Sequence, residues 1–172
     1  MSEIASLADA NVRSETYYVA RARVRCRQCG SSTDVLALAV PHNHEILDGD
    51  TQAGGNSGEP ASDPWQRAAV NAILFHVEQL PGGVLDRLNR ISPFFRLAHS
   101  VATLNSYWAN HCEHCGLLLD DHELHCEPDS GFMPSSKAAA ANIQLQQIPE
   151  PFEAVAAGYA FEPEFFGSMS KS

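Results

Sequence analysis

Five cysteines carry the most legible chemistry of this chain, and four of them fall in two copies of one pattern. Cys26-Arg27-Gln28-Cys29-Gly30 and Cys112-Glu113-His114-Cys115-Gly116 both read C-x-x-C-G. A turn of this length aims two sulfurs at one ion, and the glycine that follows eases the tight backbone. Four thiolates satisfy the tetrahedron that zinc prefers, so the expectation is one structural Zn2+ per chain, held by Cys26, Cys29, Cys112 and Cys115. The alternatives are reduced core cysteines or two local disulfides. A thioredoxin-type redox pair fits less well, because such a pair caps a helix N-terminus, whereas both pairs here lie between strand-like runs.

The elements that must position these sulfurs are readable to different degrees. Tyr17 to Cys26 alternates with period two, placing Tyr18, Ala20, Ala22, Val24 and Cys26 on one face and Val19, Arg21, Arg23 and Arg25 on the other. This predicts a strand with one inner and one charged face. Val35 to Val40 reads as a more deeply buried returning strand stopped by Pro41. Phe94 to Leu97 and Val101 to Trp108 read as strands, the second leading into Cys112. Leu117 to Leu119 returns from that turn to Asp120-Asp121, with Glu123 to Cys126 following. Between the two halves, Asp63-Pro64 resembles a helix start. Trp65, Ala69, Ala72, Ile73, His76 and Leu80 then form a helical stripe to about residue 80, and Val84 to Ile91 predicts a short second helix. Residues 47 to 63 are rich in Gly, Ser, Asp and Pro and read as a mobile loop. Residues 135 to 148 fit a helix at the alanines and a strand at Ile143-Gln-Leu-Gln, and Phe152 to Phe161 fits a final strand. Residues 1 to 15 and 167 to 172 read as flexible ends.

The fold expected is therefore α+β. An antiparallel sheet surrounds a four-cysteine, zinc-ribbon-like centre within one domain over 16 to 166, and a helical insertion occupies 64 to 91. At 172 residues and 44% hydrophobic composition the chain has enough apolar material for one core. Its 11 basic and 21 acidic residues leave a net charge of -10, which opposes whole-protein attraction to nucleic acid or an anionic membrane. Lysine and arginine are concentrated before residue 111, where nine of the 11 lie. The opening residues lack a basic, apolar signal pattern, no stretch approaches a membrane span, and the cysteine total is odd; a cytoplasmic location is the expectation.

Other side chains invite further roles. His111 and His114 flank the second cysteine turn, but four sulfurs already complete a ligand set, which makes these histidines outer partners. His122, His125 and Cys126, with Asp120 or Asp121, offer material for a second metal site. His122-Glu123-Leu124-His125 is one residue short of H-E-x-x-H, so its imidazoles do not fall one helical turn apart. His42 and His44 follow Pro41 on a turn, and His76 reads as a core histidine on an apolar helix face. Arg21, Arg23 and Arg25, with Arg27 in the first cysteine turn and Tyr17 or Tyr18 as a stacking ring, have the spacing of a phosphate-tracking strand. The competing reading pairs these arginines with acidic residues.

The stretches C-x-x-C-G-x-x-T-x-V-x-A-L-A-x-P at Cys26 to Pro41 and Y-W-A-N-H-C-E-H-C-G at Tyr107 to Gly116 resemble a group of bacterial zinc-ribbon proteins of unknown function. Leu124 to Pro128 and Gly131 to Pro134 look like the segment that follows the second cysteine turn in that group. The resemblance covers roughly residues 17 to 134 and implies that the four cysteines share one metal. It implies no activity, and Cys126 departs from the pattern. The functional expectation is a non-enzymatic zinc-stabilised module that binds another protein or regulates it. Nucleic-acid binding through the arginine strand is the alternative, and a metal-dependent hydrolase a third.

Overall fold

Strand β3 (Ser32–Val40) is the axis of the fold. Every residue from Val35 to Val40 is buried. Successive side chains of a strand point to opposite faces, so Leu36, Leu38 and Val40 enter one apolar cluster while Val35, Ala37 and Ala39 enter a second. A sheet covered on both faces requires this unbroken apolar run. The computed structural model describes residues 7, 9–47, 64–99, 104–127, 130–161 and 166–171.

Strand β2 (Tyr17–Arg25) pairs antiparallel with β3 from Tyr18↔Ala39 to Arg25↔Ser32. Its first half is covered on both sides, with Tyr17 and Val19 in the first cluster and Ala20 and Ala22 in the second. The expected charged face exists only further along, at the exposed Arg21, Arg23 and Arg25. On the other side of β3 lies β6 (Ala72–Gln79), followed by β11 (Phe152–Phe161), β1 (Val12–Ser14), β4 (Glu45–Leu47) and β5 (Trp65–Arg67). Beyond β2 come β10 (Gln144–Ile148) and β12 (Ser170–Lys171). A branch of β7 (Phe95–His99), β8 (Ser106–His111) and β9 (Leu118–Leu119) joins through the pairing of Val77 with Trp108. Pairing is antiparallel except between β10 and β12. Helix α1 (Gly82–Ile91) covers the first face with Val84 and Leu88. Helix α2 (Asp121–Cys126) and the single turn α3 (Lys137–Ala140) cover the second with Leu124 and Ala140. Among the described residues no helix is long and apolar enough to cross a membrane.

The architecture is thus β-rich with a few short helices, and several expectations need correction. Only 82–91 of the expected helical insertion at 64–91 is helix; Trp65 to Gln79 supplies β5 and β6 instead. The cause is a β-bulge. His76 has φ +50, and the register with β11 shifts so that Ala156 faces Val77 while Val155 faces Gln79. The left-handed backbone at His76 brings Val77 onto the same face as Ala72 and Leu74, inside the first cluster, and Glu78 is the extra residue of the bulge; together they convert a period-two pattern into the spacing of a helix stripe. The expected flexible lead-in contains β1, whose fully buried Val12 is held between Ala154 and Ile46. The expected flexible tail contains the buried Met169 and β12. Glu123 to Cys126 lies in α2, and the stretch at 135–148 divides into α3 and β10. Of the expected mobile loop, Leu47 ends β4 and residues 48–63 lie outside the described residues.

Candidate metal centre

The two cysteine turns are built alike. Cys26 N–H donates to Ser31 O at 2.9 Å, and Gly30 N–H to Cys26 O at 2.9 Å. In the second turn Cys112 N–H donates to Leu117 O at 2.9 Å, and Gly116 N–H to Cys112 O at 3.0 Å. Closing each turn requires left-handed backbone at its glycine, with φ +73 at Gly30 and +77 at Gly116, a conformation that glycine adopts without steric penalty. Strands β2 and β3 flank the first turn, and β8 and β9 the second.

These turns face each other across the sheet. Cys26 Sγ lies 3.6 Å from Cys115 Sγ, Cys29 Sγ lies 3.6 Å from Cys112 Sγ, and all four sulfurs fall within 4.8 Å of one another. A tetrahedral zinc with Zn–S bonds of ~2.3 Å sets sulfurs ~3.8 Å apart. Disulfide sulfurs lie ~2.0 Å apart, and all five cysteines are free thiols. The sulfur positions therefore fit a shared ion. Each short contact joins the buried cysteine of one turn, Cys26 or Cys112, to the exposed cysteine of the other.

Electrostatics around the thiols point the same way. N–H groups of Cys29 and Gln28 hold the Cys26 thiol down at about 6, and those of Cys115 and His114 lower Cys112. The Leu117 N–H pulls Cys115 down as well, but burial and the neighbouring sulfurs outweigh it and push this thiol up to about 11. Crowded sulfurs resist becoming thiolates together, and a dication relieves that repulsion by binding all of them.

Side chains around the turns fix their relative placement. Buried Asn110, two residues before Cys112, accepts from Leu36 N–H at 2.8 Å and donates to Leu36 O at 2.9 Å, joining β8 to β3 where no strand pairing does so. Glu113 N–H donates to the buried Thr33 Oγ1 at 3.1 Å. His114 lies outside the sulfur cluster, its Nε2 3.1 Å from Ser32 O, and His111 Nδ1 lies 3.2 Å from Phe94 O. Sequence reasoning passed over Asn110 and Thr33. The only signal was a polar residue on the inner face of each strand leading to or from a cysteine turn.

The remaining candidates fare differently. Among the described residues, only the four cysteines bring three or more metal-binding side chains together. His122, His125 and Cys126 therefore do not assemble with Asp120 or Asp121 into a second cluster. His125 instead stacks on Phe132, with ring centroids 5.1 Å apart, and Cys126 is exposed. Arg23 pairs with Asp34 across β2 and β3 at 3.1 Å, and Arg27 pairs with Glu123 of α2. Tyr17 is buried and stacked on Phe152, while half-buried Tyr18 meets Phe166 edge-on. Buried His44 lies with Nδ1 2.7 Å from Pro41 O, and burial lowers its pKa. His42 is exposed. His76 is not on a helix face but inside β6, with left-handed backbone, two residues before the extra residue of the bulge.

No protein-family model, no curated protein and no solved structure matches this chain.

Proposed function

We propose that this is a structural-zinc protein in which one ion pins the β2–β3 turn to the β8–β9 turn, and that the stabilised surface binds another protein. The observation that carries the metal reading is the four-sulfur cluster with 3.6 Å cross-contacts between turns. Thiolate ligands in a tetrahedron suit zinc, and four of them leave no open position for a metal-bound water, which disfavours hydrolysis at this centre. The ion closes a stretch of 82 residues between Cys29 and Cys112. Structural zinc in small peptides contributes ~10 to 16 kcal/mol, comparable with the ~5 to 15 kcal/mol that stabilises a whole domain.

A protein partner is favoured over nucleic acid because Arg23 and Arg27 are engaged with carboxylates and Tyr17 is buried. Strand β7 is paired only with β8 among the described residues, and it carries the exposed Leu97, with exposed Leu104 beyond it. An edge strand with apolar side chains suits the addition of a partner's strand.

The test is elemental analysis with thiol titration before and after chelation. Expected are one zinc per chain, one reactive thiol (Cys126) in the loaded protein, five after chelation, and loss of cooperative unfolding in the chelated form. A protein that takes up no zinc under reducing conditions, or whose melting temperature ignores chelation, refutes the metal reading. For the partner, capture from native cells by the wild-type chain should be lost with Leu97→Lys; equal recovery with both would remove β7 as the contact.

A further inference from the structure

Strand β2 has an edge that the fold leaves open. Backbone groups along an antiparallel pair point alternately toward and away from the partner, and two bonds fix the alternation here. Cys26 N–H donates to Ser31 O, so Val24 and Ala22 also turn their peptide groups toward β3. Leu36, opposite Arg21, turns away from β2 to Asn110. Arg21, Arg23 and Arg25 therefore turn theirs away from β3, to the side where β10 pairs. β10 begins at Gln144 opposite Arg21, and no described strand continues it past Arg23 and Arg25. The N–H and C=O groups of these two arginines take no protein hydrogen bond among the described residues. A cavity of about 300 Å3 lies at this gap, walled by Ala22 and Arg23 of β2 and by Gly131, Pro134, Ala139 and Ile143. Of the polar side chains lining it, Ser130 already donates its hydroxyl to Leu124 O at 3.1 Å, which leaves Asn142.

We infer that the β2 edge from Ala22 to Arg25 is a docking site for a short, extended, acidic segment of a partner protein, added as a strand beyond the start of β10. The N–H and C=O groups of Arg23 and Arg25, held in ladder orientation, supply the main-chain bonds that strand addition needs. Alternate side chains of the added segment then fall on opposite faces of the sheet. On one face they meet the exposed Arg21, Arg23 and Arg25. Arg23 holds Asp34, whereas Arg21 and Arg25 have no ion pair among the described residues. On the other face they enter the cavity beside Ala22, a member of the second apolar cluster. The segment that fits best therefore alternates carboxylates with small apolar side chains. Edge strands are commonly guarded by charge, and arginines at alternate positions repel a second copy of this edge while attracting an acidic strand. A phosphate backbone would meet the charge but brings no peptide groups to match those of β2. This edge is distinct from β7 and does not depend on the contact proposed there.

The experiment titrates zinc-loaded full-length protein with a blocked pentapeptide of alternating glutamate and valine at low salt, following backbone amide hydrogen exchange. In the free protein the N–H groups of Arg23 and Arg25 should exchange faster than those of Ala22 and Val24, which bond to β3. Peptide at about 10 times its Kd should slow exchange at Arg23 and Arg25 by about 10-fold and leave Ala22 and Val24 as they were. The same peptide with lysine in place of glutamate should not bind. Arg25→Glu should weaken binding about 10-fold with zinc content unchanged, and Arg21→Glu makes the same test further from the cysteine turn if Arg25→Glu loses zinc. Binding that leaves exchange at Arg23 and Arg25 unchanged would reduce the edge to a patch of charge and overturn the proposal. Absence of saturable binding, equal binding of the lysine peptide, full affinity in both folded variants, or equal protection of these amides by single-stranded oligothymidylate would overturn it as well.

Discussion

Asp121 gives the chain a stability term that runs against the usual behaviour of a carboxylate. It is 5% exposed, and burial raises its pKa from 3.8 to about 7, opposed by the His76 N–H and reinforced by Asp120. Above the folded value the ionised group must be kept buried, and this contribution to stability is at its lowest. As pH falls from about 7 toward 3.8, the native protein holds a proton that the unfolded chain releases, so the contribution grows, reaching its full size below 3.8. At about 1.4 kcal/mol per pH unit, the interval sets an upper bound of about 4 kcal/mol. His125 acts in the opposite sense: burial and the neighbouring His76 lower it to about 3, so its contribution is lost as pH falls from its ordinary 6.5. A wild-type pH profile therefore mixes the two, and the difference between wild type and Asp121→Asn isolates the carboxyl. The variant keeps an oxygen to accept from His76 N–H. Urea unfolding of zinc-loaded protein from pH 5.5 to 8 should show Asp121→Asn gaining on wild type by about 2 kcal/mol across that range. A difference that stays constant with pH, or shrinks as pH rises, would refute the assignment of a raised pKa to this carboxyl.

Two further substitutions test the packing around the sites. Asn110→Ala leaves the N–H and C=O of Leu36 without their partner in the interior and should cost about 2 to 5 kcal/mol; chemical denaturation checks it, and a loss below about 0.5 kcal/mol would show that β3 and β8 are joined by other means. Gly158→Ala would set a Cβ 2.0 Å from Phe75 Cε2, so the ring must leave its place over the glycine. The expected cost is about 1 to 3 kcal/mol, and it should fall in a Phe75→Ala background; the same cost in both backgrounds would mean that the ring is not the obstacle.

How much of this was legible follows from the distance over which each feature is encoded. The cysteine turns are local: two sulfurs, a two-residue spacing and a glycine at positive φ are set within five residues, so the pattern alone named the four sulfurs that the fold brings together. Strands β2, β3 and β11 were legible because their patterns run unbroken for nine or ten residues. Short elements at the sheet margins were not. β1 and β12 have three and two residues, too few for a period, and owe their order to partners distant in sequence. Asn110 and Thr33 carry no local signature, because their hydrogen bonds reach 74 and 80 residues away.

The largest misreading has a local cause. An uninterrupted β6 would show alternation and would be recognised as a strand. The left-handed backbone at His76 shifts its phase by one residue, and the sequence then imitates a helix from Ala72 through Val77. The same irregularity leaves His76 out of the pairing with β11, its N–H bonded to Asp121 and its imidazole edge-on to Tyr107. Gly158, two residues beyond the register shift on β11, admits the Phe75 ring that packs next to His125. A regular strand would spend the His76 N–H on the ladder and leave the Asp121 carboxylate buried without its donor, a costlier arrangement than the strain at one residue. The irregularity that hides β6 from pattern analysis is therefore the feature that ties α2 to the sheet through the His76 N–H and the Asp121 carboxyl.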